Sequence, residues 1–264
     1  MTTRDLSRRT FLALFATTIL GACAPSRSSS TAQPQAPAGG GQQTAAALGT
    51  PPAASGVAGA IHLGAITALF DNAFILAPMH AGIYKQAGID LSITEFQDGN
   101  TMTRAVVSDQ IDTGEMGIPQ IFPADEAGAD LKVLYDCGQE LPNYLRLGMP
   151  VRQQNIATRD GLLRQFFIAH SFAHRWALQH RDEVVRSAVE DVKQDEAAAA
   201  ANWDTYINGN MVTPDFTITE AQIDYMQQLN LDDGSQKAKL PTDRVLDTRY
   251  VQAIQETLGP YHKA

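Results

Sequence analysis

Cysteine is scarce: the chain has 2 in 264 residues, Cys23 and Cys137. Once Cys23 is committed to another covalent role, Cys137 stands alone and no intramolecular disulfide can form, even in an oxidising compartment. An isolated thiol of this kind reads as a small buried hydrophobe. Positive charge is also short. The 20 Lys and Arg face 29 Asp and Glu, a formal charge of −9, so nucleic acid is excluded as a partner. No apolar run reaches the roughly 20 residues that a membrane-spanning helix needs. There is no Gly-x-Ser-x-Gly elbow, no glycine-rich loop ending in Gly-Lys-Ser/Thr and no Gly-x-Gly-x-x-Gly after a strand. Those gaps remove common hydrolase, nucleotide-hydrolysing and dinucleotide-dependent classes. Neither enzymatic turnover nor a cofactor is expected.

What is present begins with Arg4, Arg8 and Arg9, followed by the apolar run Phe11 to Leu20 and then Gly21-Ala22-Cys23. This order reads as a secretory signal peptide over residues 1–22. Its apolar stretch of about 10 to 12 residues is too short to span a bilayer. Ser7-Arg8-Arg9-Thr10-Phe11-Leu12 resembles the twin-arginine export motif, with Ala13 where that motif has lysine. Leu20-Gly21-Ala22-Cys23 resembles a lipobox, whose small residues admit the peptidase and whose thiol accepts the lipid. Cys23 is therefore the expected lipid anchor, on the extracytoplasmic face of a bacterial cell membrane. Loss of residues 1–22 removes three arginines and one aspartate, which moves the formal charge from −9 to −11. Residues 23–57 are almost wholly Ala, Ser, Thr, Pro, Gln and Gly, with Arg27 the only charge. Such a composition builds no core and serves as a flexible tether.

From residue 58 the pattern changes to alternating strands and helices. Ile61 to Thr67 predicts a strand, and Asn72 is placed to cap a helix over Ala73 to Gln86. Ile89 to Phe96 alternates at period two. Gln97-Asp98-Gly99-Asn100 is a turn into a helix through Asp109, Gly114 to Gly117 a short strand, Ile118 to Ala127 a helix, and Leu131 to Asp136 a strand. This rhythm predicts an α/β fold with a mainly parallel sheet covered on both faces. Ligands in such sheets bind beyond the carboxyl ends of the strands. Leu69 to Asn72, Gln97 to Thr101 and Met116 to Pro119 are thus expected around one cleft.

Three segments carry a resemblance: Gly82-Ile83-Tyr84-Lys85-Gln86-Ala87-Gly88-Ile89-Asp90-Leu91, then Asp98-Gly99-Asn100, then Gln110-Ile111-Asp112-Thr113-Gly114. In order and spacing they resemble the ABC-importer solute-binding proteins of the nitrate, sulfonate, taurine and thiamine-pyrimidine group. The similarity covers residues 60–144 and resumes at Leu240 to Asp243 and Val245 to Tyr250. It implies a type II periplasmic-binding-protein fold, capture of a small molecule, and delivery to a membrane permease with its ATPase. Fungal pyrimidine synthases of the same fold carry a cysteine-rich motif, for which this chain lacks the cysteines. One stretch departs from the pattern. Leu145 to Asn208 reads as mostly helical, with one or two long helices over Leu162 to Asn208, so the expected organisation is an α/β lobe over 58–144 and a shortened, helical second half over 145–264. The C-terminal segment is expected to return to the first lobe.

Within the cleft, Gly99, Asn100 and Thr101 at a helix N-terminus would offer N–H groups and a hydroxyl to a sulfonate, carboxylate or phosphate-like group, although an ordinary capped turn explains them equally. Asp71, Asn72, Glu115 and Met116 line the same edge, where the acids favour a cation or hydrogen-bond donors, and Phe70 suits a planar ring. The balance favours a heteroaromatic or amine-bearing solute, such as a vitamin precursor, over a sulfonate. Two other readings stand beside capture. One is a helical lipoprotein that acts by protein contact. The other is a metal site on His170 and His174, one helical turn apart with His180 or Asp182 nearby, against which stands the frequency of exposed helical histidines.

Overall fold

In the computed structural model, residues 50–52, 56–141, 144–209, 211–212 and 217–261 are described. Residues 1–22, expected as a signal peptide, Cys23, expected as the lipid anchor, and nearly all of 23–57 lie outside them, as does the side chain of Cys137.

The chain opens as the sequence predicts. Strand β1 (Gly59–Ile66) is followed by a 3-10 turn at Phe70–Asn72, helix α1 (Ala73–His80), helix α2 (Ile83–Gln86) and strand β2 (Ile89–Phe96). The one helix expected over 73–86 is two, because Gly82 adopts φ +77° between them, a left-handed conformation that ends a helix cheaply only at glycine. Asn72 is itself helical and its amide does not cap α1; it donates instead to the Ile66 carbonyl at 2.8 Å. Helix α3 (Gly99–Val107) begins at the predicted turn, with Asp98 as its N-cap.

The expected strand over 114–117 splits at Glu115. Strand β3 (Thr113–Gly114) pairs parallel with β1, while strand β4 (Met116–Gly117) pairs antiparallel in a different sheet. The first sheet is parallel, in the order β2-β1-β3. The second departs from the parallel expectation. It comprises β4, strand β5 (Leu131–Leu141) and strand β6 (Tyr144–Arg152) in the antiparallel order β4-β6-β5. Between β4 and β5 lie a 3-10 turn at Ile118–Gln120 and helix α4 (Ile121–Glu126).

Leu145 to Arg152, read as the start of the helical half, is therefore strand. Gly148 and Pro150 both oppose a helix there, while Leu145, Leu147, Met149 and Val151 recur at period two. The helical reading holds from Gln153 onward. Helices α5 (Gln153–Ala177), α6 (Arg181–Glu190) and α7 (Glu196–Asn208) replace the one or two expected. Helix α8 (Glu220–Asp233), helix α9 (Thr242–Val245) and helix α10 (Arg249–Leu258) complete the chain. Leu246 bridges Val133 of β5 in parallel, and Tyr250 of α10 lies in the core with Ile61 and Phe166. No described helix is long and apolar enough to cross a membrane.

Burial explains the layering. Ile61 and Leu63 of β1 meet Ile75, Tyr84, Phe166, Phe167 and Ile254 in one apolar cluster. A second cluster joins α3, β4, α4, β5 and α8 through Met102, Met116, Phe122, Val133 and Ile223. The close approach of β3 to β1 depends on Gly114, where a Cβ would lie 2.3 Å from Met102 Sδ and 3.1 Å from the Gly64 carbonyl oxygen. Gly114→Ala is expected to cost about 1–3 kcal/mol, the usual overpacking range. Urea denaturation measures it, and an unchanged midpoint would show that the strands have slack here.

Candidate functional site

The carboxyl ends of β1 and β3 bring two buried acids into the interior. Asp71 follows β1 and is 7% exposed; Glu115, at the step between the two sheets, is 6% exposed. The backbone N–H of Glu115 donates to the Gly64 carbonyl at 3.2 Å, which fixes its position beside the end of β1. Carboxylates so deeply placed are tolerable only with partners, and the second half of the chain supplies them.

Asp71 takes a bidentate contact from the Arg146 guanidinium of β6, which reaches both carboxylate oxygens, and accepts from the Tyr206 hydroxyl of α7 at 2.8 Å. The guanidinium also lies 5.5 Å from the Tyr206 ring centre. Burial, with the adjacent Asp71 charge, raises the Tyr206 hydroxyl far above its ordinary value, so this hydroxyl remains a donor. Phe70 meets Tyr206 edge-on at 5.1 Å, and Phe74 stacks on Trp203 at 5.6 Å.

Glu115 turns toward α5. Its Oε1 lies 3.0 Å from His170 Nε2 and 3.7 Å from His174 Nε2. Both histidines are buried, His170 completely and His174 to 3% exposure, which corrects the expectation of an exposed helical face. His180 is elsewhere, stacked on Trp176 and bonded to the Trp176 carbonyl, and Asp182 pairs with Arg181. His170 Nδ1 shares a hydrogen bond with the Tyr84 hydroxyl at 2.9 Å, and His174 Nδ1 lies 3.0 Å from the His170 carbonyl. Burial pushes His170 down to about 3 and His174 to about 4; for His174 the nearby His170 adds to this, and Glu115 and Asp71 pull the other way. Both imidazoles are neutral at pH 7. The Phe74 ring lies nearly parallel to His174 at 6.3 Å and to Tyr206 at 6.0 Å, so it separates the two acid centres.

Of the residues predicted to line the cleft, Phe70, Asp71, Asn72, Glu115 and Met116 all lie on this edge and all are buried. Met116 Sδ accepts from the Thr103 hydroxyl at 3.1 Å. Gly99, Asn100 and Thr101 stand apart in chemistry. The Asp98 carboxylate accepts from the Thr101 N–H at 2.8 Å and its hydroxyl at 3.0 Å. These bonds hold Asp98 below its ordinary value, and its carboxylate caps the turn. Gly99 packs against the Gln120 side chain. The sequence reading missed Arg146 and Tyr206 as partners of Asp71, and it missed Tyr84 and Glu115 as partners of the histidines.

No protein-family model and no curated protein sequence matches the chain. Solved structures do. The nitrate-binding protein NrtA from Synechocystis PCC 6803 superposes with a TM-score of 0.61 at 10% identity, covering 80% of this chain and 90% of that one. The alkanesulfonate-binding protein SsuA from Xanthomonas axonopodis pv. citri, bound to MOPS, gives 0.58 at 11% identity, covering 73% and 98%. A ligand-binding component of an ABC-type import system from Staphylococcus aureus, with zinc bound, gives 0.57 at 9% identity, covering 73% and 98%. The fold is that of the periplasmic solute-binding proteins. In this periplasmic-binding-protein fold the acids at the ends of β1 and β3 occupy the edge where α/β sheets take ligands.

Two predictions follow from the geometry. Asp71→Asn leaves the Arg146 guanidinium facing a neutral amide, and removal of one buried charge partner costs about 3–5 kcal/mol; chemical denaturation reads it, and a loss under 1 kcal/mol contradicts the pairing. The histidines give a pH dependence. Unfolded histidine titrates near 6.5, whereas the folded values are about 3 and 4, so below pH 6.5 the unfolded chain takes up protons that the native one refuses. Stability is full above about pH 6.5 and falls toward pH 4, by up to about 1.4 kcal/mol per pH unit for each histidine. Melting temperature against pH should show that fall, with a shallower slope in His174→Gln; equal slopes in the two proteins would contradict it.

Proposed function

We propose that the chain is an extracytoplasmic solute-binding lipoprotein of an ABC importer, held at the membrane through a lipid on Cys23 and exported by a twin-arginine-like signal. It captures a small organic molecule and presents it to a permease with its ATPase, without turnover. The observation that carries this reading is the convergence of Asp71, Glu115, Phe70, Phe74, Arg146, His174 and Tyr206 beyond the carboxyl ends of β1 and β3, in a fold whose solved neighbours include nitrate- and sulfonate-binding proteins. The residues proposed to meet the solute are Phe70, Asp71, Asn72, Glu115 and Met116, with Gly99, Asn100 and Thr101 on the adjoining turn. Two acids among aromatic rings favour an amine-bearing heteroaromatic solute, while Arg146 is the group that a sulfonate would engage. The tether and anchor raise the local concentration of receptor at the permease.

A second reading has one observation in its favour. Asp71 and Glu115 already hold protein partners, as in a lipoprotein that acts by protein contact through a rigid helical half. A thermal-shift screen separates the two. Pyrimidines, flavins, amines and sulfonates are tested singly, and a solute at 100 times its Kd raises stability by about 2.7 kcal/mol. One chemical class should raise the melting temperature, and the shift should be lost in Tyr206→Phe or Glu115→Gln. A screen in which no compound moves the transition would favour protein contact.

A further inference from the structure

The imidazoles of His170 and His174 and the carboxylate of Glu115 form the one group of metal-ligating side chains found among the described residues, with one donor atom from each lying within 4.8 Å of the others. All three residues are buried. We propose that Glu115, His170 and His174 bind one divalent transition-metal ion of the zinc class. The site shares Glu115 with the edge proposed to meet the solute, but its test uses metal alone and does not depend on capture.

Three features of the geometry support it. A tetrahedral ion with bonds of about 2.0–2.1 Å needs donors roughly 3.4 Å apart, and the two carboxylate–imidazole distances are 3.0 and 3.7 Å. The remaining imidazole pair needs a shift of up to about 1.4 Å, within the reach of side-chain rotation. The tautomer of His174 also suits a metal. The only role a carbonyl can take is acceptor, so the contact of His174 Nδ1 with the His170 carbonyl places the His174 proton on Nδ1 and its lone pair on Nε2, the nitrogen turned toward Glu115. His170 meets the Tyr84 hydroxyl through Nδ1 and Glu115 through Nε2; ion binding at Nε2 would move its proton to Nδ1, where the Tyr84 oxygen can accept it and orient the ligating imidazole. Finally, the donor set is two imidazoles one helical turn apart plus one carboxylate. Nitrogen and oxygen donors in that ratio select zinc-class ions over calcium or magnesium, and three protein ligands leave a position open for water or a solute atom.

The experiment uses the full chain, stripped with chelator and titrated with cobalt(II), whose visible ligand-field bands report coordination, followed by displacement with zinc. One equivalent of cobalt should bind with bands of a four- or five-coordinate ion, and zinc should abolish them. Glu115→Gln, close in shape to the native residue, should weaken binding at least about 10-fold, and His174→Ala should remove it. Tyr84→Phe should weaken it about 10-fold while the bands persist. His80→Ala, at an exposed histidine paired with Asp191, should bind as the parent does. If His174→Ala fails to fold by circular dichroism, Glu115→Gln and Tyr84→Phe decide. Absence of stoichiometric cobalt, or parental affinity in Glu115→Gln, would overturn the site.

Discussion

Two carboxylates buried at the ends of parallel strands set the terms for the rest of the molecule. Asp71 and Glu115 follow directly from where β1 and β3 stop, and neither has water enough around it to stay charged alone. The partners described for them come from the second half of the chain. Arg146 arrives on β6, His170 on α5, and Tyr206 on α7. Polar contacts to these acids link the helical half to the sheet edge, beside those of Arg159 on α5 with Asp112 and the Ala60 carbonyl. Apolar packing of Phe74 against Trp203, Tyr206 and His174 seals the space between them.

This arrangement gives the functional reading its physical content. A binding protein needs convergent polar groups in a mostly apolar surround, and the edge of the parallel sheet supplies both. It also sets a condition. A solute entering here meets acids that are already satisfied, so it must replace the Tyr206, Arg146 or histidine contacts with equally good ones, because an acid left unpaired at this depth costs several kcal/mol. Under the proposed function, a solute entering here would displace contacts made from α5 and α7.

The fold was largely legible where periodicity is local. β1, β2 and α3 follow from alternation and from the Asp98 cap, and the resemblance in segments 82–91 and 110–114 pointed to the architecture that the solved structures share. The miss at β6 was avoidable, because Leu145, Leu147, Met149 and Val151 keep strict period two around Gly148 and Pro150. The buried histidines were readable as well. Leu163, Phe166, Phe167, His170, Ala173, His174 and Ala177 recur at helical spacing, which places both imidazoles on the core face of α5. The pairings across long separations were not legible. Nothing local links Asp71 to Tyr206 or Glu115 to His170, and the split of residues 114–117 between two sheets is decided by which strands lie beside them in space.

The central claim is that the buried acids hold the helical half onto the sheet. Amide hydrogen exchange on the parent and on a protein carrying both Asp71→Asn and Glu115→Gln tests it most directly. The account predicts that α5 beyond Arg159 and α7 lose protection together, while β1 and β2, paired through Gly59–Ile66 and Ile89–Phe96, exchange as slowly as in the parent. Unchanged protection in α5 and α7 would contradict it, since apolar packing and the contacts of Arg159 with Asp112 and the Ala60 carbonyl would then be holding the two halves together.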